Sequence, residues 1–217
     1  MSISEIWLAS LGTVALLVSY ELVLLMVQWN TPHRVARSAH ATMRIHWIAA
    51  LSKLPGSEIL AVQTIRNALM SATLTASTAA LGLMGTVSLA ASAAHGVDYS
   101  GPSLTPRVVL ELLLVAQLFA ALVCSAMAVR YYNHTGFIVS MPVGSSERDA
   151  WQGAADRYLQ RGGLLYGLGL RYLIMVAPAV AAIVQPAAGP IAAVIVIAVL
   201  SGFDRAGVTS AVADDSS

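Results

Sequence analysis

The chain has 217 residues, 57% of them hydrophobic and 11% charged, with a net charge of +1. Soluble domains carry roughly 25% charged residues, and a monomer of this size cannot hide so much apolar side chain from water. With a mean hydropathy of +0.73, the composition sets aside an ordinary soluble enzyme, a nucleic-acid module and a disordered linker, and points to an all-α, polytopic membrane helix bundle.

The first apolar run, residues 6–27, is long enough to span a bilayer. No basic residue precedes it and no small-x-small site follows it, so it reads as a span and not as a cleaved leader. Next, His33–Leu54 reads as an amphipathic helix. Ala36, Ala39, Met43, Trp47, Ala50 and Leu54 fall on one face, with Arg34, Arg37 and Arg44 off it. Such a helix either lies among anionic headgroups or forms an elbow packed on the bundle. Residues 59–91 exceed the roughly 20 needed to cross the hydrocarbon, so this segment must tilt or project. Along it, Asn67, Ser71, Thr75, Thr78, Gly82 and Gly85 form a stripe suited to close helix packing.

Residues 108–131 form the third span. A second surface helix starts at Ser146, with Asp149 completing a capping box and Trp151, Ala154, Ala155 and Tyr158 as its apolar stripe. The run from Leu164 to Phe203 is too long for one crossing. Gln185-Pro186-Ala187-Ala188-Gly189-Pro190 is turn chemistry within it. A hairpin is expected, with spans 164–184 and 191–203, the first arm kinked at Pro178. The second arm is short, and a re-entrant half-helix is the alternative. Residues 206–217 read as a disordered tail. In total, four full spans and a C-terminal hairpin arm make five membrane helices in one domain over residues 1–205.

Basic residues orient the bundle. The first connection holds Arg34, Arg37, Arg44 and Lys53, the second only Arg107, the third Arg130, Arg148, Arg157 and Arg161. The positive-inside rule then puts the N-terminus outside and, if the last hairpin spans fully, the C-terminus in the cytoplasm, in a bacterial inner membrane.

Charges inside apolar runs are the candidate functional residues, because a bare charge in lipid costs roughly 2.5–3.5 kcal/mol or more. Glu21, Arg66 and Arg171 each lie a few turns in from the cytoplasmic side of three different helices, with Tyr20, Gln63, Asn67 and Tyr172 near them. Counting along each run gives them a similar depth. Glu21 is expected to pair with Arg66 first and with Arg171 second. Functionally, this would be a polar constriction at the cytoplasmic mouth whose surplus positive charge suits an anion. The structural reading is an ion pair that fixes helix register, with Arg66 snorkelling at the interface. Gln117 is the one polar side chain deep in the third helix, and Glu111 is placed to pair with Arg107. The five histidines lack a ligand spacing, Cys124 sits alone in an apolar run, and no phosphate loop or nucleophile triad stands out. Neither a metal, a cofactor nor an enzymatic role is expected.

The segment Ile59-Leu60-Ala61-Val62-Gln63-Thr64-Ile65-Arg66-Asn67-Ala68-Leu69-Met70, followed by Thr73 and Ala76, resembles an integral-membrane family of bacteria and plants, the domain of unknown function five-nine-nine. Trp47, Arg130 with Asn133 and Pro142, and Gly169-Leu170-Arg171-Tyr172 leading to Pro178 and Gly189-Pro190 fit the same pattern. The resemblance covers residues 6–205. It departs at Ala181-Ala182-Ile183, where the family often carries a Trp. It implies an all-helical membrane protein and no reaction, and it marks Gln63, Arg66, Asn67 and Arg171 as motif positions. The leading expectation is a homo-oligomeric channel or transporter-like passage for a small ion, in contact with anionic lipid. The rival is a non-catalytic accessory or scaffold subunit of a larger membrane complex.

Overall fold

The computed structural model describes residues 2–30, 36–94 and 105–205. Within them lie seven helices: α1 (Ile3–Asn30), α2 (Ala36–Leu51), α3 (Glu58–Ala94), α4 (Pro106–Val139), α5 (Ser146–Ile174), α6 (Val176–Val184) and α7 (Ala188–Arg205). Four stretches are long and apolar enough to cross a membrane: Ile3–Val27, Glu58–Leu89, Pro106–Val139 and Ser146–Val184; the apolar helix Ala188–Asp204 is shorter. The fold is therefore the all-α membrane bundle that the hydropathy implies. The C-terminal tail, His33 and His95 lie outside the described residues.

The third connection differs from expectation. It is helix almost throughout, because α4 continues past Tyr131 to Val139 and α5 runs unbroken from Ser146 through Gly162-Gly163 into the bundle. Glycines usually weaken a helix interior, but here they let neighbours approach. A Cβ at Gly162 would press on Tyr132, at 3.1 Å from its ring, and one at Gly163 would collide with the Arg44 guanidinium. Only a tight turn joins α4 to α5, with Gly144 at φ +83.

That turn is held from both sides. Ser145, not Ser146, caps α5, its hydroxyl accepting from the Arg148 N–H at 3.3 Å. Arg148 is buried, and its Nη1 donates to the carbonyls of Val139 at 3.3 Å and Met141 at 2.8 Å. A cation thus meets the negative end of the α4 dipole and takes up a terminal carbonyl. From α3, Glu58 Oε1 accepts from the Val143 N–H at 2.8 Å. These contacts close one end of the bundle over a core of Ile48, Ile65, Tyr132, Ile138 and Leu159.

At α2 the packed face keeps only Trp47 of the described residues that the periodicity gives; Arg34 and the side chains of Ala36, Arg37 and Ala39 lie outside what the structure describes. Ile48 and Leu51 are buried with Trp47 beside them, while Met43, Ala50 and Leu54 are exposed. Arg44, expected to point at lipid headgroups, is turned inward across Gly163, and burial pulls its pKa below the ordinary guanidinium value. The helix is an elbow on the bundle: Gly163 leaves room for a guanidinium where any larger residue would not.

The stripe on α3 also divides. Thr75 is buried and Gly82 receives Leu118 of α4, whereas Asn67, Ser71, Thr78 and Gly85 stay exposed. Further on, the helix break falls at Met175, between α5 and α6. Pro178 has no N–H to offer the carbonyl of Ile174, so the ladder resets one turn before the proline. α7 then returns from the Gln185–Ala187 turn along α1, with Leu17, Met175, Ala193 and Leu200 packed together.

The α4–α5 seam predicts a stability contrast. A Cβ at Gly169 would run into the Ser125 hydroxyl and sit 3.2 Å from the Ala121 carbonyl, while one at Gly167 meets nothing within 4 Å. Gly169→Leu should cost about 1–3 kcal/mol or more, as overpacking does, and Gly167→Ala should leave stability unchanged or raise it. Unfolding midpoints of the detergent-solubilised variants check both; equal midpoints would mean the seam is not as close as described.

Candidate functional site

Depth in the bundle can be measured along α4, which packs against both α3 and α5. Residues 108–129, about 33 Å of helix, lie between Arg107 and Arg130, and their only charge is Glu111, whose Oε1 accepts from Arg107 Nε at 2.8 Å. α3 runs antiparallel to α4, with Gly82 against Leu118 and Ile65 against Gly136. α5 is antiparallel too, with Gly162 against Tyr132 and Gly169 against Ser125. In that register Arg66 is level with Thr135, beyond Arg130, and Arg171 is level with Val123, within it. The two arginines are separated by roughly 18 Å along the bundle axis.

The expected common depth of Glu21, Arg66 and Arg171 is therefore corrected. Counting residues from the start of each apolar run assumes that all helices begin in one plane. α3 and α4 instead project well past Arg130 at this end, which carries Arg66 beyond the level of Arg130. Arg66 is exposed, as are Gln63 and Asn67, and Glu21 does not pair with it.

Glu21 pairs with Arg171. Arg171 Nε donates to Glu21 Oε1 at 2.7 Å, and Nη1 donates to both oxygens of Asp204, at 3.1 and 3.3 Å. The Tyr20 hydroxyl donates to Asp204 Oδ2 at 2.9 Å, and the Arg171 guanidinium carbon lies 4.9 Å from the centroid of the Tyr20 ring. The cluster thus joins α1, α5 and α7. Arg171 is only 6% exposed, and its planar fork suits two acceptors at once. The Tyr20 ring covers it with a favourable cation–π contact. Two carboxylates face one guanidinium, so among the described side chains the ionised cluster carries one surplus negative charge.

The short last helix explains how Asp204 arrives there. α7 has 18 residues, about 27 Å, starting from the turn at the far end of the bundle. It ends at the level of Arg171 and not at that of Arg130. Asp204 sits in its final turn and was not among the candidates from sequence. The available signal was an acidic residue closing an apolar run too short to span. Tyr172 is half-buried on the same helix as Arg171. Gln117 is buried, and its Oε1 has no partner among the described residues; the same holds for Ser125 Oγ and Arg171 Nη2. On the α4 ruler Ser125 lies at nearly the depth of Arg171, and Gln117 lies about 9 Å further from Arg130. Buried polar atoms of this kind are where ordered water is found in protein interiors.

Four stretches long and apolar enough to span, with an ionic cluster held between three helices, define a polytopic helical membrane protein. The family model described as a protein of unknown function, DUF599, matches residues 8–208, and the chain belongs to that family. No curated protein and no solved structure matches the chain.

Removing the buried guanidinium leaves two half-buried carboxylates without their counter-ion. Arg171→Ala should lower stability by about 3–5 kcal/mol, the usual loss when one partner of a buried pair is deleted. Arg66→Ala, at an exposed site, should stay within about 0.5 kcal/mol of wild type. Denaturation in detergent micelles reads the difference; two equal losses would show that Arg171 is not buried between acids.

Proposed function

We propose that the protein is a homo-oligomeric, multi-pass protein of the bacterial inner membrane that passes a proton or small cation, with the Tyr20–Glu21–Arg171–Asp204 cluster as the ion-responsive element. The observation that carries this reading is the charge balance of the cluster. One guanidinium opposes two carboxylates within the apolar slab. A surplus charge in that environment is costly, and a proton or small cation taken up by either carboxylate removes it. The anion expected from sequence depended on Arg66 and Arg171 standing together with positive charge to spare. Their separation along the axis and the engagement of Arg171 by two acids favour a cation instead.

Binding has a mechanical consequence. Asp204 accepts three hydrogen bonds, two from Arg171 and one from Tyr20. Neutralising its carboxylate weakens all three and loosens the end of α7 from α1 and α5. The unpartnered atoms of Gln117 and Ser125 continue the polar character from the cluster along α4. Self-association is supported by α3, of whose apolar window only 17% is buried. Its exposed Asn67, Ser71, Thr78 and Gly85 are small or polar, as close helix interfaces in membranes require.

The same exposed face favours a second reading, a non-catalytic accessory subunit that offers α3 to another membrane protein. Purification from native membranes separates the two: a pure homo-oligomer fits the passage, and a stoichiometric foreign subunit fits the accessory role. The flux experiment is direct. Proteoliposomes carrying a trapped pH dye and an imposed gradient should dissipate it with wild type, and Asp204→Asn and Glu21→Gln should slow dissipation by about tenfold or more, since each removes an ionisable group of the pathway. Rates equal to empty liposomes for wild type, or unchanged rates in both variants, would overturn the reading.

A further inference from the structure

Beyond the cluster, the molecule has a second polar feature at membrane-interface depth. A groove of about 380 Å³ runs between α3 and α4, lined by Val62, Ile65, Arg66, Leu69, Tyr132, Asn133, Gly136, Phe137 and Ser140. On the α4 ruler it occupies the levels just past Arg130, where a bilayer's polar zone of several ångströms follows the hydrocarbon. Arg66 and Asn133 are exposed on its two walls, and neither has a hydrogen-bond or ion-pair partner among the described residues. Ser140 uses its hydroxyl to donate to the Phe137 carbonyl at 2.7 Å, which leaves its oxygen lone pairs but no donor.

The groove exists because position 136 has no side chain. A Cβ there would touch only Ile65 Cγ2, at an ordinary 3.7 Å, so helix packing does not demand a glycine. Leu69 and Tyr132 close the inner end; from there α3 continues as an uncharged apolar rod, and α4 does so once past Arg130.

We propose that this groove binds the headgroup of an anionic phospholipid. The Arg66 guanidinium would meet the phosphate with a forked pair of donors and the Asn133 amide would donate from the opposite wall, while the acyl chains lie along the apolar faces beneath. Three observations favour a lipid over other occupants. The charge is positive with no acid in the groove; the depth is that of headgroups; and the groove opens on the flank of the bundle, not into its interior. A guanidinium at this depth is drawn to the anionic surface by about 1 kcal/mol, and the fork adds geometric selectivity for phosphate.

The test titrates detergent-solubilised full-length protein with phosphatidylglycerol and, separately, phosphatidylcholine, reading bound lipid by native mass spectrometry. Wild type should retain one phosphatidylglycerol per chain in preference to phosphatidylcholine. Arg66→Ala should weaken that binding about five- to tenfold, and Gly136→Leu should do the same by filling the groove while leaving Arg66 in place. Arg161→Ala, an exposed arginine on α5 away from the groove, should bind as wild type does. Unfolding midpoints confirm that each variant is folded, and the second variant keeps the test decisive if the first is not. Equal binding of the two lipids, or wild-type binding by both groove variants, would overturn the proposal. Full displacement of the lipid by millimolar inorganic phosphate would point to a soluble anion, and loss of an oligomer in Arg66→Ala to a protein contact; either also overturns it.

Discussion

One guanidinium shared between two carboxylates governs how this bundle closes. Arg171 reaches Glu21 on α1 and Asp204 on α7, and the Tyr20 ring and hydroxyl complete the enclosure. Without that set, α7 has little to fix its end, because it is too short to reach the opposite surface. The constraint is electrostatic before it is steric. Each of these charges would be costly alone among acyl chains, and each becomes tolerable only through the others. Leu17, Met175, Ala193 and Leu200 pack around the same junction, so hydrophobic contact and charge pairing select one arrangement of α1, α5 and α7.

The opposite economy operates at the end where α4 turns into α5. There the helices project past Arg130, and a buried and a half-buried arginine hold the structure. Arg148 closes the α4 terminus by donating to backbone carbonyls, and Arg44 lies across Gly163 to dock the α2 elbow. Both use the guanidinium as a rigid plane of donors attached to an apolar stem. Arg66, exposed on the same end, has no such partner among the described residues, and that contrast makes its groove a place for an external acid.

Much of the fold was legible in the sequence because spanning helices need long apolar runs, and those runs are continuous here. The Gln185–Ala187 turn and the break ahead of Pro178 followed from proline chemistry. Helix ends were less legible. Hydropathy marks where a segment stops being apolar, not where it stops being helical, so α4 and α5 run past their apolar limits through Arg130 and Gly162-Gly163. The same confusion produced the error at the site. Arg66 and Arg171 both stand about two turns inside their apolar runs, yet the packing of Ile65 on Gly136 and of Gly169 on Ser125 puts them at different depths. Asp204 was overlooked because it follows the last apolar residue, a position that reads as surface until the shortness of α7 is known. At α2, periodicity alone could not foresee that Arg44 faces inward, since the reason lies in a glycine far along the chain.

The most direct test of the central pairing is a double-mutant cycle on Glu21 and Arg171, with Glu21 and Arg66 as the comparison, read from chemical unfolding in micelles. Neutralising both partners of a buried pair costs much less than the sum of the single losses. The structure predicts a coupling of about 2 kcal/mol or more between Glu21→Gln and Arg171→Met, and none beyond error between Glu21→Gln and Arg66→Met. Additive losses for the first pair, or a coupling as large for the second, would contradict it.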